Sequence, residues 1–182
     1  IILGGIHTTN SPDEVINNSC GVVDYIARGE SELTFKELIE GKDPADVLSL
    51  SYKKGGVIVH NLPRPLLQNL DELPDPAYDL LQLNRYRPTI GSYKKLPAMH
   101  MVISRGCPGQ CTFCHSGSAN LFGKAVRYRS QVRIFNQIKD LHENHGINEI
   151  IFYDDNFTSN KQFVTELCNS FINYGLKISW TC

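Results

Sequence analysis

A chain of 182 residues, 41% hydrophobic and 20% charged, can bury a substantial core as one large domain or two small ones. No run is apolar for long enough to span a membrane and no signal peptide opens the chain, so membrane insertion and export are not expected. Six cysteines then fit a reducing, cytoplasmic setting better than a disulfide scaffold. The net charge is −1 but unevenly spread: residues 1–79 carry 6 basic and 13 acidic side chains, and residues 80–139 carry 10 basic and none acidic. A segment of that sign is either a solvated basic face or a site that concentrates anions.

In chain order, "IILGG" reads as a buried strand that turns on Gly4-Gly5 into a short helix, with Ser11 as N-cap, Pro12 at the first helical position and Glu14 completing a capping box. Val22 to Ala27 reads as a second strand. "SELTFKELIEG" reads as a helix that ends at Gly41, with Leu33, Phe35, Leu38 and Ile39 on or near one face. "LSLSYKKGGVIVH" predicts a hairpin around Gly55-Gly56. This is the strand–helix alternation of an α/β sheet whose earlier strands are not in the chain. Residues 61–88 hold five of the nine prolines, Pro63, Pro65, Pro74, Pro76 and Pro88, a density that forbids long regular elements and suggests a linker.

The pattern restarts at residue 98. Met99 to Ser104 reads as a strand, followed by a cysteine-rich loop. A helix capped by Ser130 and stopped at Gly146 follows, with Val132, Phe135, Ile138 and Leu141 inward. "NEIIFYDD" is a strand, a second helix turns Phe163, Val164, Leu167 and Phe171 inward, and Leu176 to Cys182 is a third strand. Such a β-α-β-α-β run implies parallel strands with right-handed crossovers, and function at their C-terminal ends. Both chain ends look cut through structure, so the chain reads as an internal fragment. Its last strand is then an edge that invites pairing between copies.

The loop "SRGCPGQCTFCHSG", residues 104–117, places Cys107, Cys111 and Cys114 within eight positions. Structural zinc wants four ligands, usually as two separated pairs, and His115 is an awkward fourth beside Cys114. "CTFCH" matches the c-type haem attachment pattern, but that chemistry follows export and leaves Cys107 over. A thioredoxin-like dithiol has no use for a third cysteine either. The strongest reading is an iron–sulfur cluster on three thiolates, which leaves one iron open for a chelating ligand. Pro108-Gly109 supplies the turn this requires. Cys168 reads as a core residue on a helix, and His7, His60, His100, His142 and His145 show no partner by spacing.

"CPGQCTFC" resembles the signature of the radical S-adenosylmethionine (radical SAM) enzymes, C-x3-C-x-aromatic-C on the loop after the first strand of a partial (β/α) barrel. The resemblance implies that Cys107, Cys111 and Cys114 bind a [4Fe–4S] cluster whose fourth iron is chelated by the amino and carboxylate groups of SAM. It further implies reductive cleavage of SAM to a 5′-deoxyadenosyl radical that takes a hydrogen atom from substrate. Phe113 would lie near the adenine. "YDDNF" stands where the family has a Gly-Gly-Glu-like motif for the SAM amino group; the sequence departs from that motif and offers Asp154 and Asp155, whose alternative role is helix capping. Arg127 and Arg129 could balance the cluster or the SAM carboxylate. No catalytic acid or base is assigned.

The N-terminal half is similar to the second half of the cobalamin-binding domain that precedes many radical SAM domains. Gly4-Gly5 matches its glycine turn beside the corrinoid's nucleotide tail, where a side chain would intrude, and "ARGESE" matches a second loop of the tail pocket. The organisation expected is therefore α/β: residues 1–62 a partial Rossmann-like cobalamin-binding domain, 63–97 a Pro-rich linker, and 98–182 the first three strands of the radical SAM barrel. The resemblance implies an iron–sulfur oxidoreductase that uses SAM, the cluster and cobalamin for radical methyl transfer or an oxidative cyclisation. A reductant such as flavodoxin or ferredoxin would be its partner; nucleic acid is not expected. Alternatives are a radical methylthiotransferase, which needs three further cluster cysteines in its N-terminal domain, and a non-enzymatic metal or electron-transfer module. The chain by itself is expected to be inactive.

Overall fold

The computed structural model describes residues 1–114 and 121–182, and Asn84 by its backbone alone. The chain divides into two units, Ile1–Leu67 with Gln110–Gly123, and Gln68–Gly109 with Lys124–Cys182. Among the described residues no helix is long and apolar enough to cross a membrane.

The first unit contains a sheet in the order β1 (Ile2–Leu3), β2 (Tyr25–Ala27), β3 (Leu50–Lys54), β4 (Val57–His60). β1 and β2 are parallel, while β2–β3 and the β3–β4 hairpin are antiparallel. The hairpin forms where the paired glycines predict it, with Gly55 at φ +58 and Gly56 at +84, conformations open to glycine at little cost. Three helices accompany the sheet: α1 (Ile6–Asn10), α2 (Pro12–Asn18) and α3 (Glu32–Ile39).

Three expectations are corrected here. Helix begins already at Ile6, so Ser11 joins two helices and its hydroxyl caps neither. Its amide donates to the His7 carbonyl at 2.9 Å, and its own carbonyl accepts from Val15 at 3.2 Å. The second strand starts at Tyr25 because a turn at Ser19–Val22, with Cys20 and Gly21 at positive φ, occupies the residues before it. In α3 the buried residue is Thr34, and Phe35 and Ile39 are exposed. Thr34 Oγ1 donates to the Leu48 carbonyl at 2.9 Å, which draws that face of the helix onto the sheet.

The second unit is built on β5 (Ala98–Met101), β8 (Glu149–Phe152) and β9 (Ser179–Thr181), adjacent and parallel in that order. The helices α4 (Gln131–Glu143) and α5 (Lys161–Tyr174) form the crossovers. Ser130 caps α4, Asn160 caps α5, and Gly175 in the left-handed region closes α5. Ile138, Leu141, Ile150 and Leu167 are each at most 1% exposed, and burial of such a side chain stabilises by about 1.5–3 kcal/mol. The inward face of α4 differs from expectation by one position: Ile134 is buried and Val132 is 71% exposed. β9 borders the sheet among the described residues.

The proline-rich stretch holds short 3-10 turns at Leu70–Glu72, Tyr78–Leu80 and Leu83–Arg85. From Gln68 onward it belongs to the second unit and is tied to α4. The Ser130 amide donates to Asp71 at 2.9 Å, Arg133 Nε reaches Asp75 at 3.2 Å, and Gln137 donates to the Tyr78 hydroxyl at 2.7 Å.

Candidate metal and cofactor sites

The strand expected at Met99–Ser104 divides. After Met101 the chain leaves the ladder with β8, and Ser104–Arg105 (β6) pairs antiparallel with Arg127–Tyr128 (β7). The cysteine loop departs from this ribbon through Gly106, whose φ of +101 favours glycine. All three cysteines are free thiols, Cys107 half-buried and Cys111 and Cys114 exposed. Cys107 falls in the second unit and the other two in the first. The Cys114 amide donates to the Cys111 carbonyl at 3.1 Å, a turn that closes the C-x2-C step. Among the described residues no three His, Cys, Asp or Glu side chains are arranged around a metal position. The case for the trio is its chemistry, since three soft thiolates on one loop suit an iron–sulfur cluster. Phe113 is 91% exposed. His115 lies outside the described residues.

Asp154 and Asp155 follow the C-terminal end of β8. Asp154 Oδ1 accepts from the amides of Ile103 at 3.1 Å and Ser104 at 2.6 Å, and from Ser104 Oγ at 2.5 Å. Burial, and secondarily the charge of Asp155, push its pKa above the usual carboxylate value against the hydrogen bonds from Ser104 and Ile103. Asp155 is exposed. Neither residue caps a helix: the next turn is preceded by Asn156 and α5 is capped by Asn160.

The two arginines have different surroundings. Arg127 is buried in β7 opposite Arg105. Arg129 is engaged by the proline-rich stretch, donating to Asp75 at 2.8 Å, the Pro74 carbonyl at 2.9 Å and Gln137 at 3.2 Å. A guanidinium so satisfied is fixed in place.

In the first unit the structure brings Gly4 and the "ARGESE" loop together. Both follow the C-terminal ends of adjacent parallel strands, the edge where open α/β sheets bind ligands. A Cβ at Gly4 would lie 3.3 Å from Ser31 Oγ and 3.5 Å from the Ala27 carbonyl, and Gly5 has φ +104. Gly29 donates to Thr9 Oγ1 at 3.0 Å. A cavity of about 310 Å³ adjoins this loop, lined among others by Thr9, Arg28, Glu30, Arg64 and Leu66. Arg28 donates to the Asn61 carbonyl at 2.5 Å, and its Nε is buried with no partner among the described residues.

Several polar clusters have no signal in the spacing. Arg64, flanked by prolines, forms a bidentate pair with Glu37 at 3.1 and 2.7 Å. Glu149, fully buried, accepts from the amides of Lys94 at 2.7 Å and Lys95 at 2.5 Å. His60 joins Ser51 at 2.8 Å and Asp13 at 2.8 Å. That line resembles a nucleophile relay, but Ser51 is 0% exposed, so no substrate reaches its hydroxyl.

Residues 101–182 match the radical SAM superfamily. Along its whole length the chain is 40% identical to an uncharacterized methyltransferase of Pyrococcus horikoshii, of which it covers 39%. It is 28% identical to the anaerobic magnesium-protoporphyrin IX monomethyl ester cyclase of Synechocystis, over 98% of this chain and 35% of that protein. The chain thus spans under two fifths of the length of these relatives. In fold it is similar to the cobalamin-dependent S-adenosylmethionine radical enzyme OxsB, with a TM-score of 0.72 at 22% identity over 99% of this chain and 25% of that one. The C-x3-C-x2-C loop thus lies within the stretch that matches the radical SAM superfamily.

Proposed function

We propose that the chain is part of a radical SAM enzyme, with Cys107, Cys111 and Cys114 as the ligands of a [4Fe–4S] cluster. The observation that carries this reading is the placement of three free thiols, at that spacing, just after the strands β5 and β6 within the matched region. When bound, the cluster supplies one electron for reductive cleavage of SAM. The chain's own residues hold and shield: the thiolates ligate, exposed Phe113 offers an aromatic face for the adenine, and a carboxylate after β8 serves the SAM ammonium. Arg127 contributes positive charge beside the loop. Gly4, Gly5 and the "ARGESE" loop are read as the part of a cobalamin site that receives the nucleotide tail, supported by the closeness of Gly4 to Ser31.

For the overall reaction, radical methyl transfer and oxidative cyclisation are both supported, because the relatives are named as a methyltransferase and a cyclase. A methylthiotransferase is less well supported, since Cys20 is the one cysteine in residues 1–106. The reductant is read as a flavodoxin or ferredoxin in the cytoplasm. The test is product analysis on the intact protein, reconstituted anaerobically and given SAM and dithionite. Formation of 5′-deoxyadenosine that is lost in Cys107→Ala, Cys111→Ala and Cys114→Ala supports the reading. Undiminished formation in those variants, or none in a wild-type protein with a full cluster, contradicts it.

A further inference from the structure

We infer that the two aspartates after β8 divide their work: Asp154 is a positioning residue that braces the entry to the cysteine loop, and Asp155 is the carboxylate left for the ammonium of SAM. The second half rests on the function proposed above; the first does not.

The brace is needed where β5 leaves its neighbour. The ladder between β5 and β8 ends with the Tyr153 amide donating to the Met101 carbonyl at 2.8 Å. Val102 is then 54% exposed, while Ile103 is 1% and Ser104 6% exposed. The amides of Ile103 and Ser104 are therefore buried donors beyond the last ladder bond, and such groups need an acceptor. Asp154 supplies it from the next strand. Its Oδ1 takes both amides and the Ser104 hydroxyl, and Oδ2 takes a longer share of the Ile103 amide at 3.3 Å. From the other side the Arg129 amide donates to the Ile103 carbonyl at 2.9 Å. The segment is fixed on both edges three residues before Cys107, so the backbone that delivers the first thiol has little freedom.

The same geometry separates the two carboxylates. Charge-assisted bonds to three donors leave Oδ1 of Asp154 saturated and the side chain locked toward the strand. Asp155, one residue on, is exposed. A ligand ammonium arriving at this strand end finds Asp155 exposed, while Asp154 could reorient toward it only by releasing the two buried amides on its Oδ1.

The experiment uses the intact protein with Asp154→Asn, Asp154→Ala, Ser104→Ala and Asp155→Asn. Amide hydrogen exchange of the metal-free protein is read over residues 102–106. Exchange there should quicken on the order of tenfold or more in Asp154→Ala, the effect of losing a hydrogen bond to a charged group. It should quicken less in Ser104→Ala and in Asp154→Asn, which keeps one acceptor oxygen, and not at all in Asp155→Asn. After anaerobic reconstitution, electron paramagnetic resonance with titrated SAM gives a second readout. Asp155→Asn should keep its iron content while the SAM-induced spectral change moves to higher SAM concentration. Asp154→Ala should lose iron, with partial rescue in Asp154→Asn. Unchanged exchange in every Asp154 variant overturns the brace. An Asp154→Asn protein with full iron that loses SAM more than Asp155→Asn overturns the division. If Asp154→Ala does not fold, Ser104→Ala and Asp154→Asn decide the same point. A wild-type protein that takes up no cluster overturns the proposed function and Asp155's part with it, while the exchange arm still decides Asp154's.

Discussion

Among the described residues the second unit is held by one continuous apolar cluster, running from Met99 and Ile103 through Ile138 and Ile150 to Phe171, whereas a smaller cluster in the first joins Val47, Leu50 and Tyr52. Polar bonds carry more of the first unit. Arg64 ties Thr34 and Glu37 to the chain after β4, and Asn61 donates to the carbonyls of Pro44 at 2.6 Å and Val47 at 2.7 Å. An apolar stripe is buried where a facing layer exists to cover it.

That contrast can be broken at several points. The largest effect is expected in the apolar cluster: Ile138→Ala or Ile150→Ala should cost about 2–5 kcal/mol. Urea unfolding followed by Trp180, which packs near Phe152 and Phe157 within the same unit, reads this directly. A loss under 1 kcal/mol would mean that this cluster is not what holds the unit together. A smaller loss, about 1–2 kcal/mol, is expected in the first unit for Arg64→Met, because the pair with Glu37 is bidentate and largely shielded, at 13% and 25% exposure. Exchange of the β3 and β4 amides is the measurement, and no change there would assign the unit's stability elsewhere.

Acid should affect the two units in opposite senses. The hydrogen bond from Arg64 holds Glu37 below the usual carboxylate range. The folded state then binds fewer protons than the unfolded chain, so this contribution is present at neutral pH and lost as pH falls through the folded-state pKa. Asp154 is the reverse case, pushed up by burial. Its contribution is fullest at low pH and declines as pH rises through its raised pKa. Stability measured from pH 3 to 7 should therefore flatten at the acid end in Arg64→Met, and the difference between Asp154→Asn and wild type should shift toward the variant as pH rises. Opposite slopes would contradict these assignments. The smallest effect is in thiol labelling of the metal-free protein. Cys111 and Cys114 should react ahead of Cys168, whose thiol is pushed up by burial and then by Cys182.

Much of this was legible in local sequence. Paired glycines mark the β3–β4 hairpin, and Ser130 caps α4 as its position predicts. The cysteine spacing points to its chemistry before any coordinates. What was not legible depends on partners distant in the chain. Whether Thr34 or Phe35 faces the sheet is decided by the Leu48 carbonyl, and Ile134 replaces Val132 in the core because of where α4 meets β5 and β8. The split of the expected strand at Met101 turns on Asp154, some fifty residues away. Arg129, expected to balance the cluster or the SAM carboxylate, is engaged by Asp75 and the Pro74 carbonyl. Charge runs report residue type, and tertiary contacts determine use.

The central claim is that Cys107, Cys111 and Cys114 hold a cluster with an open iron. Its most direct test is electron paramagnetic resonance of the anaerobically reconstituted, reduced protein, recorded with and without SAM. A cubane signal that changes on adding SAM, and is absent from the variant in which all three cysteines are alanine, is the predicted result. A folded intact protein that takes up no iron, or a cluster signal indifferent to SAM, would contradict it.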